Sequence, residues 1–176
     1  MILILEGVDC AGKTWMAERL LKEMPNAYLI KHGNRPKENS AAASHMLYKN
    51  YKAMLDTYEL AIKHSGGTLI FDRFYMSELI YGPVTRGYNL LTDQYQEELE
   101  NRLKQNDHLY VEITATKENI IERMKSRGEY YLKLEKLDPI MVGYEEFYDQ
   151  TTLNRSRVRS GDNMVDFLIN ERMNND

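Results

Sequence analysis

Apolar residues in this chain come in two arrangements: short unbroken runs, and longer stretches with apolar positions three or four apart. Residues 2–5 are wholly apolar and Gly7 ends the run almost at once, as in a short strand buried on both faces. Residues 14–24 carry apolar positions at helical spacing and stop before Pro25. Residues 27–30 predict a second strand, and the polar stretch 32–39, with Gly33 and Pro36, a loop. A long helix is expected over about 40–64, closed by Gly66-Gly67. Residues 68–71 predict a third strand, terminated by Asp72-Arg73.

The second half repeats the alternation. Residues 74–82 predict a short helix, and 92–105 a longer amphipathic one with Thr92 as its N-cap. Residues 108–113 read as a fourth strand, and 116–127 as a helix running into Gly128. Asp138-Pro139 places a capping residue before a proline at the first helical position, opening a helix to about Gln150. A final helix is expected over about 163–173, and a fifth strand within the polar segment 151–161. Strands alternating with helices predict an α/β fold: a mostly parallel five-stranded sheet with helices on both faces, a three-layer sandwich. Ligands of such sheets bind beyond the carboxyl ends of the strands. The segment around Gly7 and Asp72 both fall there.

Composition narrows the classes. The length of 176 residues fits one domain with a sizeable core, and no repeat, low-complexity tract or linker divides residues 1–176. An apolar fraction of 43% and a charged fraction of 28% are those of an ordinary soluble protein. The net charge of −4 argues against a nucleic-acid partner, although local basic clusters can still grip a small anion. The single cysteine, Cys10, leaves no intramolecular disulfide and no cysteine-based zinc site. The N-terminus lacks a basic region, and its apolar run is too short for a signal peptide or membrane span. A cytoplasmic protein with no membrane partner is therefore expected.

The chemistry concentrates after the first strand. Gly7-Val8-Asp9-Cys10-Ala11-Gly12-Lys13-Thr14 matches G-x-x-x-x-G-K-[ST] completely, between a strand and a helix. Its glycines allow successive N–H groups to converge on phosphate oxygens, and the helix N-terminus adds partial positive charge. Gly7, Asp9, Cys10, Ala11, Gly12, Lys13 and Thr14 are the candidate ATP-binding residues, with Lys13 reaching the β/γ-phosphates and Thr14 ligating Mg²⁺. The fold class is accordingly that of P-loop NTPases. The guanine signature Asn-Lys-x-Asp of GTPases is missing, as is Asp-x-x-Gly after the third strand. A kinase of small molecules fits better.

Glu6-Gly7-Val8-Asp9-Cys10-Ala11-Gly12-Lys13-Thr14 resembles the Glu-Gly-x-Asp-x-x-Gly-Lys-Thr loop of thymidylate kinases. Asp72-Arg73-Phe74, Ser77, Tyr81 and Arg86-Gly87 are similar to that family's stretch after the third strand. Arg123-x-x-x-Arg127-Gly128 resembles its arginine-bearing lid entry, here about 123–137. The resemblance spans most of the chain, to about Tyr148. It implies Asp72 and Thr14 toward the metal, Arg73 on the acceptor phosphate, Asp9 on the sugar 3′-hydroxyl and Tyr81 where a 2′-hydroxyl would sit. It also implies Ser77 near the base edge, and Tyr48-x-x-x-Lys52 stacking on and fixing the base. Some relatives carry an arginine where this chain has Cys10, which shifts the expected catalytic charge to Arg123 and Arg127. Possible homodimerisation through the long helices is a further implication.

The acceptor follows from charge. A nucleoside 5′-hydroxyl must lose a proton, and a carboxylate just after the second strand would serve. A monophosphate is already anionic and needs cations. After its second strand this chain has Lys31, His32, Arg35 and Lys37, with Glu38 the first carboxylate. Arg35-Pro36 matches the family's Arg-Glu-Pro-Gly-Gly only in part. The expected reaction is phosphorylation of a deoxynucleoside monophosphate, thymidylate or similar, by ATP·Mg²⁺, with Lys13, Arg73, Arg123 and Arg127 catalytic and Arg35 and Arg73 on the acceptor phosphate. Two alternatives remain: a deoxynucleoside kinase, and a regulatory protein that binds nucleotide without turnover.

Overall fold

A computed structural model describes residues 1–31, 36, 38–128, 132–162 and 166. His32, Arg35, Lys37 and all of the helix expected over 163–173 except Asp166 lie outside the described residues, as do residues 129–131 of the expected lid. Strands β1 (Ile2–Glu6), β2 (Ala27–Lys31), β3 (Thr68–Asp72), β4 (His108–Thr114) and β5 (Arg155–Arg159) form one sheet in the order β2-β3-β1-β4-β5. Every pairing is parallel, so the sheet is more uniform than the alternation alone required.

The three inner strands are buried on both faces, which is why they read as apolar runs rather than alternating ones. Leu3, Leu5, Ile70, Val111 and Ile113 pack on α1 (Lys13–Glu23) through Met16, Ala17 and Leu20. Ile2, Ile4, Leu69, Phe71 and Tyr110 face the other way. They meet Leu47, Tyr51 and Leu55 of α2 (Ala41–Thr57) and Leu99 and Leu103 of α4 (Asp93–Lys104). A third cluster, around Val8, Ile80, Ile120, Ile140 and Tyr144, joins the loop after β1 to α3 (Tyr75–Arg86), α5 (Lys117–Arg127) and α6 (Leu137–Gln150). No helix among the described residues is long and apolar enough to cross a membrane.

Local details depart from expectation for physical reasons. The long helix after β2 is α-helical only to Thr57; a π turn over Tyr58–Ile62 and a 3₁₀ turn over Lys63–Ser65 complete it before Gly66 caps it at φ 68°. The helix after β3 does not stop at Pro83 but continues to Arg86, and Gly87 N–H closes it on the Pro83 carbonyl at 3.0 Å. Asp138 is not a cap. A 3₁₀ turn at Leu134–Lys136 runs straight into α6, which starts at Leu137, and Asp138 instead pairs with Lys117. Thr92 and Thr116 do cap α4 and α5, accepting from Tyr95 N and Asn119 N. The polar β5 is an edge strand: only Val158 is buried, and Arg157 pairs with Glu112 of β4 at 2.8 Å.

Candidate phosphate site

The register of the sheet sets the site. Asp72 lies beside Leu5 on one side and Lys31 on the other, so the carboxyl ends of β1, β2 and β3 finish level. The chain after β1 turns tightly against β4. Gly7 stands at φ 135°, and a Cβ there would come within 2.3 Å of the Ile113 carbonyl oxygen, so only glycine fits. Gly12, at φ 108°, leads into α1. Between them a cavity of about 350 Å³ is lined by Asp9, Cys10, Gly12, Lys13, Thr14 and Asp72, together with Lys31, Arg73 and Arg127. Among the described residues, four cationic and two carboxylate side chains line it, a balance suited to an anion.

Lys13 is buried, and its ammonium donates to the Gly7 and Val8 carbonyls at 2.9 and 2.7 Å. Burial, then the neighbouring Arg73 guanidinium, pull its pKa from 10.5 down to about 7, against the opposing pull of Asp9, Glu6 and Asp72. Thr14 Oγ1 donates to Asp72 Oδ2 at 3.0 Å. This hydroxyl–carboxylate pair fits a magnesium ion that takes two protein oxygens and completes its shell with phosphate and water. No cluster of three or more acidic, histidine or cysteine side chains among the described residues would hold a metal by itself.

Arg73 follows Asp72 with a left-handed backbone, φ 73°, which a non-glycine residue adopts at a cost. Its guanidinium bonds Asp9, donates to Ser77 Oγ at 2.7 Å and Tyr144 OH at 3.2 Å, and lies 5.1 Å from the Tyr81 ring centroid. Tyr81 OH accepts from Asp9 N at 2.8 Å. Arg73 stays charged, its pKa held well above normal: burial works against this, and Tyr144, Tyr81, Asp9 and Glu6 outweigh it.

Behind Arg73 sits a hub to which sequence reasoning assigned no separate role. Glu6 is fully buried and accepts from Phe74 N (2.7 Å), Ser77 N (3.2 Å), Ser77 Oγ (2.6 Å) and Tyr144 OH (2.9 Å). Its signals were a carboxylate ending an otherwise apolar strand and a place at the head of the Glu6–Thr14 motif; Tyr144 had none. Ser77 is therefore engaged by Glu6 and Arg73 inside the protein.

The two lid arginines differ. Arg123 donates to the Cys10 carbonyl (3.1 Å), the Ala11 carbonyl (3.4 Å) and Ser160 Oγ (3.0 Å), so it braces the outside of the loop. Arg127 lines the cavity. Tyr48 and Lys52 are not brought to it. Tyr48 stacks on Tyr95 at 4.2 Å between centroids and bonds Glu98, and Lys52 pairs with Asp56 at 3.1 Å. Arg35 lies outside the described residues.

A parallel sheet in this order, with a glycine loop leading into the first helix, is the P-loop fold. No family model matches the chain. The SPbeta prophage-derived uncharacterized protein YorR of Bacillus subtilis (strain 168) is 27% identical over 153 residues, 87% of this chain and 85% of that protein. The crystal structure of YorR from Bacillus subtilis in complex with phosphorylated GDP superposes with a TM-score of 0.77 at 24% identity, over 99% of this chain and 98% of that one. Deoxyadenosine kinase from M. mycoides, solved with bound dCTP, gives a TM-score of 0.61 at 21% identity over 100% of both chains. The same enzyme with products dCMP and a flexible dCDP gives 0.58 at 19%, again over 100% of both. At these identities the likeness to the solved structures defines the fold.

Proposed function

We propose that the chain transfers the γ-phosphoryl group of ATP to a deoxynucleoside monophosphate, thymidylate or a close analogue, giving the diphosphate and ADP. The observation that carries this reading is one cavity that gathers Lys13, Thr14 and Asp72 with Arg73 and Asp9, the last pair backed by Tyr81. The lysine, hydroxyl and first carboxylate suit the donor phosphates with their magnesium, and the guanidinium suits an anionic acceptor, because its fork matches phosphate oxygens. The YorR structure is a complex with phosphorylated GDP, which supports a nucleotide ligand for this fold here.

Thr14 and Asp72 would hold the magnesium ion that arrives with ATP, and the ion would neutralise charge on the donor phosphates. The chain's own residues do the rest by positioning and electrostatics. Lys13, now satisfied by loop carbonyls, is freed to donate to a phosphate that replaces them. Arg73, held rigid by Ser77, Tyr144 and Asp9, fixes the acceptor phosphate in line. Arg127 supplies charge to the transferring group in place of the arginine that Cys10 displaces from the loop, and Arg123 keeps the loop in shape.

The fold likeness to deoxyadenosine kinase brings in one second reading, a nucleoside acceptor phosphorylated on its 5′-hydroxyl. An acceptor panel separates the two. ADP release from ATP·Mg²⁺ is expected with one or more deoxynucleoside monophosphates and not with thymidine or deoxycytidine. Arg73→Gln and Arg73→Lys are both expected to raise the acceptor KM at least tenfold while ATP affinity changes little. Release driven by nucleosides alone supports the second reading; binding of ATP with no acceptor-dependent release refutes both.

A further inference from the structure

Phosphate binding does not account for Trp15. It stands directly after Lys13-Thr14, in the first turn of α1, and it too lines the phosphate cavity. Every other described residue lining that cavity is charged, polar or small, so Trp15 is its one aromatic wall among the described residues. The indole is 50% exposed. Of the six large apolar side chains left exposed among the described residues, it alone lines this cavity. A single exposed apolar side chain is ordinary on a protein surface. One that walls a cavity suited to phosphate is a different matter, because a phosphate offers it nothing to pack on.

The ring is held in place from its own helix. Arg19, one turn further along α1, sets its guanidinium 5.7 Å from the indole centroid, and its Nε donates to Glu23 Oε1 at 2.8 Å. A cation over one face orders the ring and leaves the other face for a second flat group. Arg19 does not itself line the cavity, so it serves the ring and not a phosphate. The spacing is short. Trp15 Cα lies about 3.8 Å from that of Thr14 across a trans peptide, and Thr14 carries the hydroxyl that bonds Asp72. The sugar and base of a nucleotide whose phosphates meet Thr14 therefore follow within reach of the indole.

Resting on the phosphotransfer reading above, we infer that Trp15 packs its indole against the nucleoside half, sugar and base, of the donor nucleotide. The donor is its partner because Trp15 adjoins Thr14 of the magnesium pair, whereas Arg73 and Asp9 serve the acceptor. Covering the half-exposed indole then favours a nucleotide over a bare polyphosphate, which the loop, Lys13 and Thr14 would hold equally well. Trp15 is thus a binding residue one position beyond the end of the glycine motif, where reading the motif alone stops.

Calorimetric titration with ATP·Mg²⁺ and with inorganic tripolyphosphate·Mg²⁺ tests this without requiring turnover, since the two share a phosphate chain and differ in the nucleoside. Trp15→Ala is expected to weaken ATP roughly tenfold and to leave tripolyphosphate unchanged. Trp15→Phe, which keeps an aromatic face, should recover most of the loss. Alanine is the better helix former at this half-exposed position, so the thermal midpoint of Trp15→Ala should not fall, which guards against misfolding as the cause. Trp15 is also the only tryptophan in the chain, so its emission in the wild type reads the contact directly, and ATP should change it well beyond tripolyphosphate. Equal weakening of both ligands, no weakening of ATP, a Trp15→Phe variant no tighter than Trp15→Ala, equal emission changes, or no binding of ATP by the wild type overturns the inference. Selective weakening of ATP with no phosphoryl transfer to any acceptor upholds the nucleoside contact and overturns the phosphotransfer reading.

Discussion

At the scale of single residues, Lys13 and Glu6 show burial used in opposite ways. Lys13 is held near pH 7 by burial and Arg73, against 10.5 in the unfolded chain. Between those values the unfolded chain binds more protons than the folded one, so Lys13 makes the unliganded protein more stable as pH rises from about 7 toward 10. Thermal denaturation against pH should show that rise in the wild type and a flatter profile in Lys13→Met; an unchanged profile contradicts the assignment. A phosphate in the cavity would restore the ammonium, which is why the unliganded state costs stability and the liganded state uses the charge. Glu6 has its hydrogen bonds made inside the protein. Glu6→Ala strands the Phe74 and Ser77 amides and releases Arg73. It is expected to cost about 3 kcal/mol or more in urea denaturation, and a loss under about 1 kcal/mol would show that the hub is not structural.

At the scale of elements, the site depends on how closely two helices meet. A Cβ on Gly143 of α6 would lie 2.9 Å from Ile80 Cγ2 of α3, and α3 carries Ser77 and Tyr81 while α6 carries Tyr144. Gly143→Ala should separate the helices and cost about 1–3 kcal/mol, read as a lower urea midpoint with unchanged slope. Acceptor KM should rise more than ATP KM, because Arg73 leans on both helices. Elements were legible where their signals are local. The inner strands showed as apolar runs because both faces are covered, and Thr92 announced its helix because an N-cap bonds three residues ahead; Thr116, expected as the first residue of its helix, is the cap. The start of α6 was not legible, because a 3₁₀ turn supplies the first turn that Asp138-Pro139 was expected to begin. Of the site, the glycine loop with Asp72-Arg73 could be read directly, since each is a contiguous motif at a strand end. Glu6–Tyr144 spans 138 positions and leaves no periodic trace, and Arg123 and Arg127, four residues apart, part company only when the helix is oriented against the loop.

For the molecule as a whole, the level ends of β1, β2 and β3 turn three separate sequence segments into one cavity. On the proposed reading the glycine loop holds the triphosphate, and Arg73 with Asp9, which line the same cavity, hold the acceptor; the nature of that acceptor is the central claim. Incubation with γ-phosphate-labelled ATP, Mg²⁺ and either thymidylate or thymidine, followed by separation of the products, decides it, with Lys13→Ala as the control that should lower transfer by ~10³-fold or more. Label is expected in the deoxynucleoside diphosphate when thymidylate or another monophosphate is supplied, and none in a monophosphate when thymidine is supplied. Label appearing in thymidylate made from thymidine, or in neither product across the full acceptor panel, would contradict it.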